Sequence, residues 1–179
     1  MSVKITYFVH GTTIDNEKDI ATGWLPGKLS AKGKKEAQEL GKIIAGRRFT
    51  VVFSSDLKRA VNSAELAFGD KYRIILDKRL RECNYGNWNG KKKNWEITNY
   101  VEKPYPNGES YKNVERRVKS FLEFLKEKYS KKHIAIVAHQ GPQLALDVLL
   151  KGKTWKQAIR EDWRLKKKWN PGWIYEVRN

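Results

Sequence analysis

Histidine is the side chain whose ordinary pKa lets it act as nucleophile or proton carrier near neutral pH, and this sequence has three, His10, His133 and His139. Val3 to Val9 is a β-rich apolar run that stops at His10-Gly11-Thr12-Thr13, which puts His10 at the carboxyl end of a strand. Ile134-Ala135-Ile136-Val137-Ala138 reads as a second buried strand, and it ends at His139. In open α/β sheets ligands bind outside the carboxyl ends of the strands, so the two histidines are expected to face one pocket. Arg59 falls in the first turn of a helix after another short apolar strand, Val51 to Phe53. A guanidinium beside the free N–H groups of a helix start suits a phosphoryl dianion. Glu82, in irregular sequence after a third strand, offers a carboxyl group that could protonate a leaving oxygen. Taken one at a time, each residue also has an ordinary reading: a satisfied structural histidine, an exposed helix arginine, a surface glutamate. His133 begins the strand that His139 finishes, so at ~3.3 Å per residue it lies roughly 20 Å away and reads as a surface histidine.

The elements that must position these groups follow from pattern. Ser30 can cap a helix whose apolar stripe is Ala37, Leu40, Ile43 and Ile44, and Ser54-Ser55-Asp56 offers capping oxygens to a helix carrying Leu57, Ala60, Ala64 and Leu66. Ile74 to Leu76 is a short strand. From Lys78 to Ser110 the text is irregular, with Gly86, Gly90, Pro104, Pro106 and Gly108, and loop-like segments of this length often carry function. A helix over about 113–129 buries Val114, Val118, Phe121, Leu122 and Leu125. Gln143 to Leu150 continues as an apolar helix, Thr154 to Lys166 as a last one, and a turn at Pro171-Gly172 leads to a final strand, Trp173 to Val177. Strands alternating with helices predict a three-layer αβα sandwich with a mostly parallel central sheet.

The chain has 179 residues and 40% hydrophobic content, which fits one α/β domain over residues 1–179. No run approaches the ~20 apolar residues of a membrane span, and the first residues show no secretion signal, so the expected location is cytoplasmic. The single cysteine, Cys83, and the scattered histidines argue against a disulfide framework or a structural metal, and no cofactor is expected. The net charge of +17, from 37 Lys+Arg against 20 Asp+Glu, favours an anionic partner. Lys91, Lys92 and Lys93, and Lys166, Lys167 and Lys168, lie near tryptophans that could stack on nucleic-acid bases, but lysine is spread over the whole chain as on a solvated surface. Trp155, Trp163, Trp169 and Trp173 read first as packing anchors and second as the roof of a pocket.

Several blocks carry a resemblance. Phe8-Val9-His10-Gly11-Thr12-Thr13 with Asn16, Leu29-Ser30-Ala31-Lys32-Gly33-Lys34-Lys35-Glu36-Ala37, Ser54-Ser55-Asp56-Leu57-Lys58-Arg59-Ala60 with Ser63-Ala64-Glu65, Leu80-Arg81-Glu82 with Tyr85-Gly86-Asn87-Trp88-Asn89-Gly90, Gly108-Glu109-Ser110 and Val137-Ala138-His139-Gln140-Gly141 resemble, in order, the motifs of the histidine phosphatase superfamily, the phosphoglycerate-mutase-like fold. The resemblance implies a two-step, metal-independent phosphoryl transfer. His10 would form a phosphohistidine; Arg59, Asn16 and His139, with Gly11 and Gln140, would hold the phosphoryl oxygens; Glu82 would serve as acid and then base.

One departure stands out. The family signature has an arginine directly before the nucleophilic histidine, where this chain has Val9. Losing one preorganised donor of this kind typically costs ~3 to 4 kcal/mol of transition-state stabilisation. Arg81, with Arg79 and Lys28 behind it, is the first candidate to replace it. The short stretch between Gly90 and Gly108 points to a phosphatase rather than a mutase. The expected partner is a phosphorylated small molecule or phosphoprotein, with no membrane; the alternatives are a relative that binds phosphorylated ligands without turnover, and a basic nucleic-acid binder. Oligomeric state is not encoded in any feature of the sequence.

Overall fold

A computed structural model of the chain describes residues 2–166 and 172–178. In chain order its elements are β1 (Ser2–Val9), α1 (Ile14–Glu17), β2 (Ile20–Ala21), α2 (Ala31–Ile44), β3 (Val51–Ser54), α3 (Lys58–Phe68), β4 (Ile74–Leu76), β5 (Lys91–Lys92), α4 (Tyr111–Lys128), β6 (His133–Ala138), α5 (Gln140–Lys151), α6 (Trp155–Arg160) and β7 (Trp173–Arg178). Lys167, Lys168, Trp169 and Pro171, which carry the second basic run, one tryptophan and the start of the expected last turn, lie outside the described residues.

Successive side chains of a strand point to opposite faces, and the central sheet sorts its apolar residues accordingly. Ile5, Tyr7, Val51, Phe53, Ile134 and Ile136 join Val114, Val118, Phe121 and Leu144 in one core, while Phe8, Val52, Ala135 and Val137 join Leu40, Ile44, Ala64 and Phe68 in another. Both faces are therefore covered: α2 and α3 pack on one side, α4 and α5 on the other. The strand order is β4-β3-β6-β1-β7, with the first three neighbouring pairs parallel and β7 antiparallel to β1. This is the three-layer αβα arrangement expected from the alternation of elements. Among the described residues no helix is long and apolar enough to cross a membrane.

Five local readings differ from the expectation. The segment 78–110 is not loose: Tyr100 stacks on Tyr105 at 4.0 Å, Trp88 and Trp95 meet at 4.9 Å, and Trp95 donates from Nε1 to the Tyr105 hydroxyl, so an aromatic cluster orders it. Lys91–Lys92 also pair with Ile20–Ala21 as a two-stranded sheet, which neither short run announces by itself. The expected last helix stops at Arg160 and resumes as a 3-10 turn over Trp163–Lys166, because Asp162 uses its carboxylate to accept from the Arg164 N–H and side chain. His133 is half-buried, bonded through Nε2 to Thr6 Oγ1 at 2.9 Å and packed on Phe49. Within the helices, Ile43 and Leu66 prove exposed, while Ala37, Leu40, Ile44, Ala60 and Ala64 carry the packing.

The loop after β1 is pressed against the first turn of α2, and Gly11 and Gly33 allow the approach. A Cβ on Gly33 would come within 1.9 Å of the Thr12 carbonyl oxygen, and one on Gly11 within 2.3 Å of the Gly33 carbonyl oxygen. Helix propensity alone would make Gly33→Ala stabilising by ~1 kcal/mol. The backbone collision reverses the sign, and a net loss of ~1 to 3 kcal/mol in urea unfolding is expected. Gly46→Ala, whose Cβ would meet nothing within 4 Å, serves as the control and should change stability by less than about 0.5 kcal/mol. Equal effects at the two positions would contradict this account of the loop.

Candidate active site

The parallel register of β1 and β6 brings the two strand-end histidines together. Val9 stands opposite Ala138, the His10 N–H donates to the Ala138 carbonyl at 3.0 Å, and the imidazole rings lie 5.0 Å apart, edge to face. His10 Nδ1 is 2.7 Å from the Gly11 carbonyl oxygen, an acceptor only, so Nδ1 carries the proton and Nε2 keeps its lone pair. Facing that lone pair is Arg59, whose Nε–H donates to His10 Nε2 at 3.3 Å.

Arg59 is almost completely buried, with 2% of its surface exposed. Its Nη1 donates to the Leu25 carbonyl at 3.0 Å and its Nη2 to the Gly23 carbonyl at 2.7 Å. Among the described residues each terminal nitrogen has one acceptor, and its second N–H is left for a further one. Burial, followed by the Arg59 charge, brings the His10 pKa down from 6.5 to about 3. His139, fully buried, is likewise held well below its usual range by burial and then by Arg59 and His10. Its Nε2 is 2.8 Å from Ser55 Oγ, and its Nδ1 is buried with no hydrogen-bond partner among the described residues. Both histidines are thus neutral, and the fixed positive charge bonded to His10 is Arg59.

Glu82 sits at the start of α5. Its Oε1 accepts from the Gly141 and Cys83 N–H groups, each at 2.8 Å, and its Oε2 from the Gln140 N–H at 3.2 Å. A Cβ on residue 141 would meet Glu82 Oε1 at 2.5 Å, so glycine there lets the carboxylate reach the helix terminus. The Glu82 carbonyl accepts from Trp24 Nε1 and Arg117 Nη2, and Arg117 is itself paired with Glu109 at 3.0 Å. Arg117 did not emerge from the sequence. The only signal was its position on the inward side of the helix that follows Gly108-Glu109-Ser110.

A cavity of about 810 Å³ opens onto this group, lined by Val9, His10, Asn16, Arg59, Glu82 and Gln140 among others. Asn16 Oδ1 accepts from the Thr13 N–H in a capping box, leaving its amide NH2 for another acceptor. Gly11 has both backbone groups engaged, the N–H on Ser63 Oγ and the carbonyl on His10 Nδ1, so neither faces the cavity as a free donor. The Gln140 side chain donates to Asp162. Arg81 does not come to the cavity. Its Nε and Nη2 form a bidentate pair with Asp56 at 2.7 and 2.6 Å and its guanidinium lies over Trp24, so it is not the replacement for Val9 that adjacency to Glu82 had indicated. Arg79 is similarly tied to Asp77. Trp155 is core, but Trp163 lines the cavity. Among the described residues no cluster of three or more His, Cys, Asp or Glu could hold a metal.

The His10 environment fixes the sign of its pH dependence. The folded chain binds this proton less tightly than the unfolded chain, so the unfolded state takes up more protons as pH falls below 6.5 and stability falls with it, down to about pH 3. In an NMR titration the His10 Cε1–H signal should stay flat from pH 8 to pH 5. A midpoint near the ordinary histidine value would mean that Arg59 and burial do not act on the ring.

Comparison with known proteins agrees with the geometry. The family model described as histidine phosphatase superfamily (branch 1) matches residues 7–167. Phosphoserine phosphatase 1 of Hydrogenobacter thermophilus is 30% identical over 162 residues, which cover 84% of this chain and 77% of that protein. A 2,3-bisphosphoglycerate-dependent phosphoglycerate mutase of Streptococcus uberis is 38% identical over 97 residues, covering 51% of this chain and 42% of the mutase. The crystal structure of the alpha-ribazole phosphatase from Shigella flexneri superimposes with a TM-score of 0.78 and 27% identity over 89% of this chain and 84% of that one. The chain belongs to the histidine phosphatase superfamily.

Proposed function

We propose that the protein is a phosphatase that hydrolyses a phosphate monoester through a phosphohistidine at His10. The observation that carries this reading is a neutral His10 with its Nε2 lone pair turned to a buried, incompletely satisfied Arg59. In the first step the Nε2 lone pair forms an N–P bond as the bond from phosphorus to the leaving oxygen breaks, and Glu82 delivers a proton to that oxygen. In the second, a water oxygen attacks phosphorus, Glu82 takes the water proton, the N–P bond breaks and inorganic phosphate leaves with the lone pair restored to Nε2. Arg59, the Asn16 amide and the His139 ring would bind the phosphoryl oxygens, with arginine supplying the charge that a metal ion supplies in other phosphatases. Relatives named as phosphoserine and alpha-ribazole phosphatases support hydrolysis of a phosphate ester by this chain, without fixing its substrate. The cavity, about 810 Å³, is of the size that holds a small molecule, which favours a phosphorylated metabolite over a phosphoprotein.

The test is phosphate release from an aryl phosphate and a panel of phosphorylated metabolites, with chelator present. His10→Ala should lower kcat by at least about 10³-fold, and the wild-type enzyme quenched in turnover should carry an acid-labile, base-stable phosphoryl group on His10. Undiminished turnover by His10→Ala would refute the mechanism. Because Val9 gives the cavity an uncharged wall beside the nucleophile, a second reading is a phosphate-binding relative without turnover; phosphate binding by a hydrolytically silent wild-type protein would establish it.

A further inference from the structure

Buried donors in folded proteins almost always find acceptors, and an exception in a cavity wall marks where a ligand atom belongs. Two such exceptions are adjacent here: Arg164 Nη2 and Trp163 Nε1 are both buried with no partner among the described residues, and both residues line the cavity that holds His10 and Glu82. The Arg164 guanidinium is held in place. Its Nη1 donates to Asp162 Oδ1 at 2.8 Å and to Gln143 Oε1 at 3.3 Å, and its plane lies over the Trp163 ring at 4.8 Å. One arm of the fork is thus anchored and the other is unused.

An indole N–H and a guanidinium N–H can only donate, so no neighbouring donor can satisfy them; they require an oxygen with free lone pairs, and the fixed positive fork prefers that oxygen to be anionic. The surroundings locate the acceptor. Along β1 the side chains of Ile5, Tyr7 and Val9 share the face that packs against the core containing Leu144 of α5, and Gln143 of the same helix holds Arg164. Val9 brings no donor to this flank, and Arg164 lines the same cavity as Val9 and His10; its charge is the smallest of the causes that lower the pKa values of His10 and His139.

We propose that Arg164 Nη2 and Trp163 Nε1 bind oxygens of the reacting phosphoryl group, so that a cation from the 3-10 turn over Trp163–Lys166 occupies the flank that Val9 leaves uncharged. The proposal rests on the phosphatase reading of the same cavity. It is specific to the reacting group: a second anionic group on the substrate would not need to be there for Arg164 to act.

The experiment uses the intact chain with inorganic phosphate and an aryl phosphate that has no second anionic group. Arg164→Gln is expected to lower kcat/KM on the aryl ester by about 10² to 10³-fold and to weaken phosphate binding in calorimetry. Val9→Arg introduced beside Arg164→Gln is expected to recover part of the loss. On unsubstituted protein, the Trp163 indole N–H resonance should move on titration with phosphate, a readout that does not depend on any variant folding. Wild-type turnover combined with phosphate affinity within about threefold in folded Arg164→Gln, or a stationary Trp163 signal at saturating phosphate, would overturn the assignment while leaving the phosphatase reading intact. A wild-type chain that neither binds phosphate nor hydrolyses the ester would remove both.

Discussion

A guanidinium buried to the extent of Arg59 is costly unless its donors are met, and the organisation of the site follows from how they are met. No carboxylate stands within ion-pair distance of it among the described residues; instead it is met by two carbonyls of the 23–25 loop and the lone pair of His10. The loop is therefore drawn across the carboxyl edge of the sheet. The charge acts on the ring it touches, helping to keep His10 in the deprotonated form that a nucleophile needs. Carbonyl dipoles compensate a cation less completely than a carboxylate would, and the remaining field is available to an anion entering the cavity. One buried cation thus fixes the loop, favours the neutral form of His10 and sets the sign of a ligand that could enter.

The second constraint is the start of α5. Helix N-termini present unpaired N–H groups, and here they hold the Glu82 carboxylate rather than a solvent anion. Binding through both oxygens to three backbone donors sets the carboxylate against the helix, while Trp24 and Arg117 fix its backbone from the other side. His10 directly follows β1, whereas Glu82 lies in the irregular segment after β4 and is held against the start of α5. Their spacing is set by the β-ladder and by helix packing, not by local chain flexibility.

The sequence made the strand-end groups legible because their placement depends on local pattern alone. An apolar run that stops at a histidine puts that histidine at the sheet's edge whatever the remaining contacts are, and the same holds for His139 and for Arg59 in the first turn of α3. It could not show Arg81 turning to Asp56, since the two are distant in sequence and adjacency to Glu82 suggested the opposite. Nor could it show the order within 78–110, which arises from aromatic rings meeting across loops, or the break after Arg160, which depends on Asp162 accepting hydrogen bonds from Gln140 and Arg164. Readings that rest on periodicity placed the elements, though Ile43 and Leu66 fall outside the packed stripes and the last helix ends early; partners brought from elsewhere in the chain had no sequence signal.

The same distinction separates the charge of the surface from the charge of the site. The excess of Lys+Arg gives the chain +17 overall, yet the cation against His10, and the one proposed for the flank beside Val9, are arginines. An ammonium is compact and strongly hydrated, so burial lowers its pKa; that is the direction at Lys93 on the cavity wall, where desolvation is the largest cause. A guanidinium sheds water more easily and stays charged, and its planar fork can bind a backbone carbonyl with one arm while offering the other to an oxyanion. With both histidines neutral, the positive charge nearest His10 does not change across the physiological pH range. The charge that does change is the substrate's: a phosphate monoester gains its second negative charge near pH 6. The lysine-rich surface can draw such an anion in from a distance, but salt weakens that attraction within a Debye length of ~10 Å, whereas the interior arginines act at hydrogen-bond range in a medium that screens them far less.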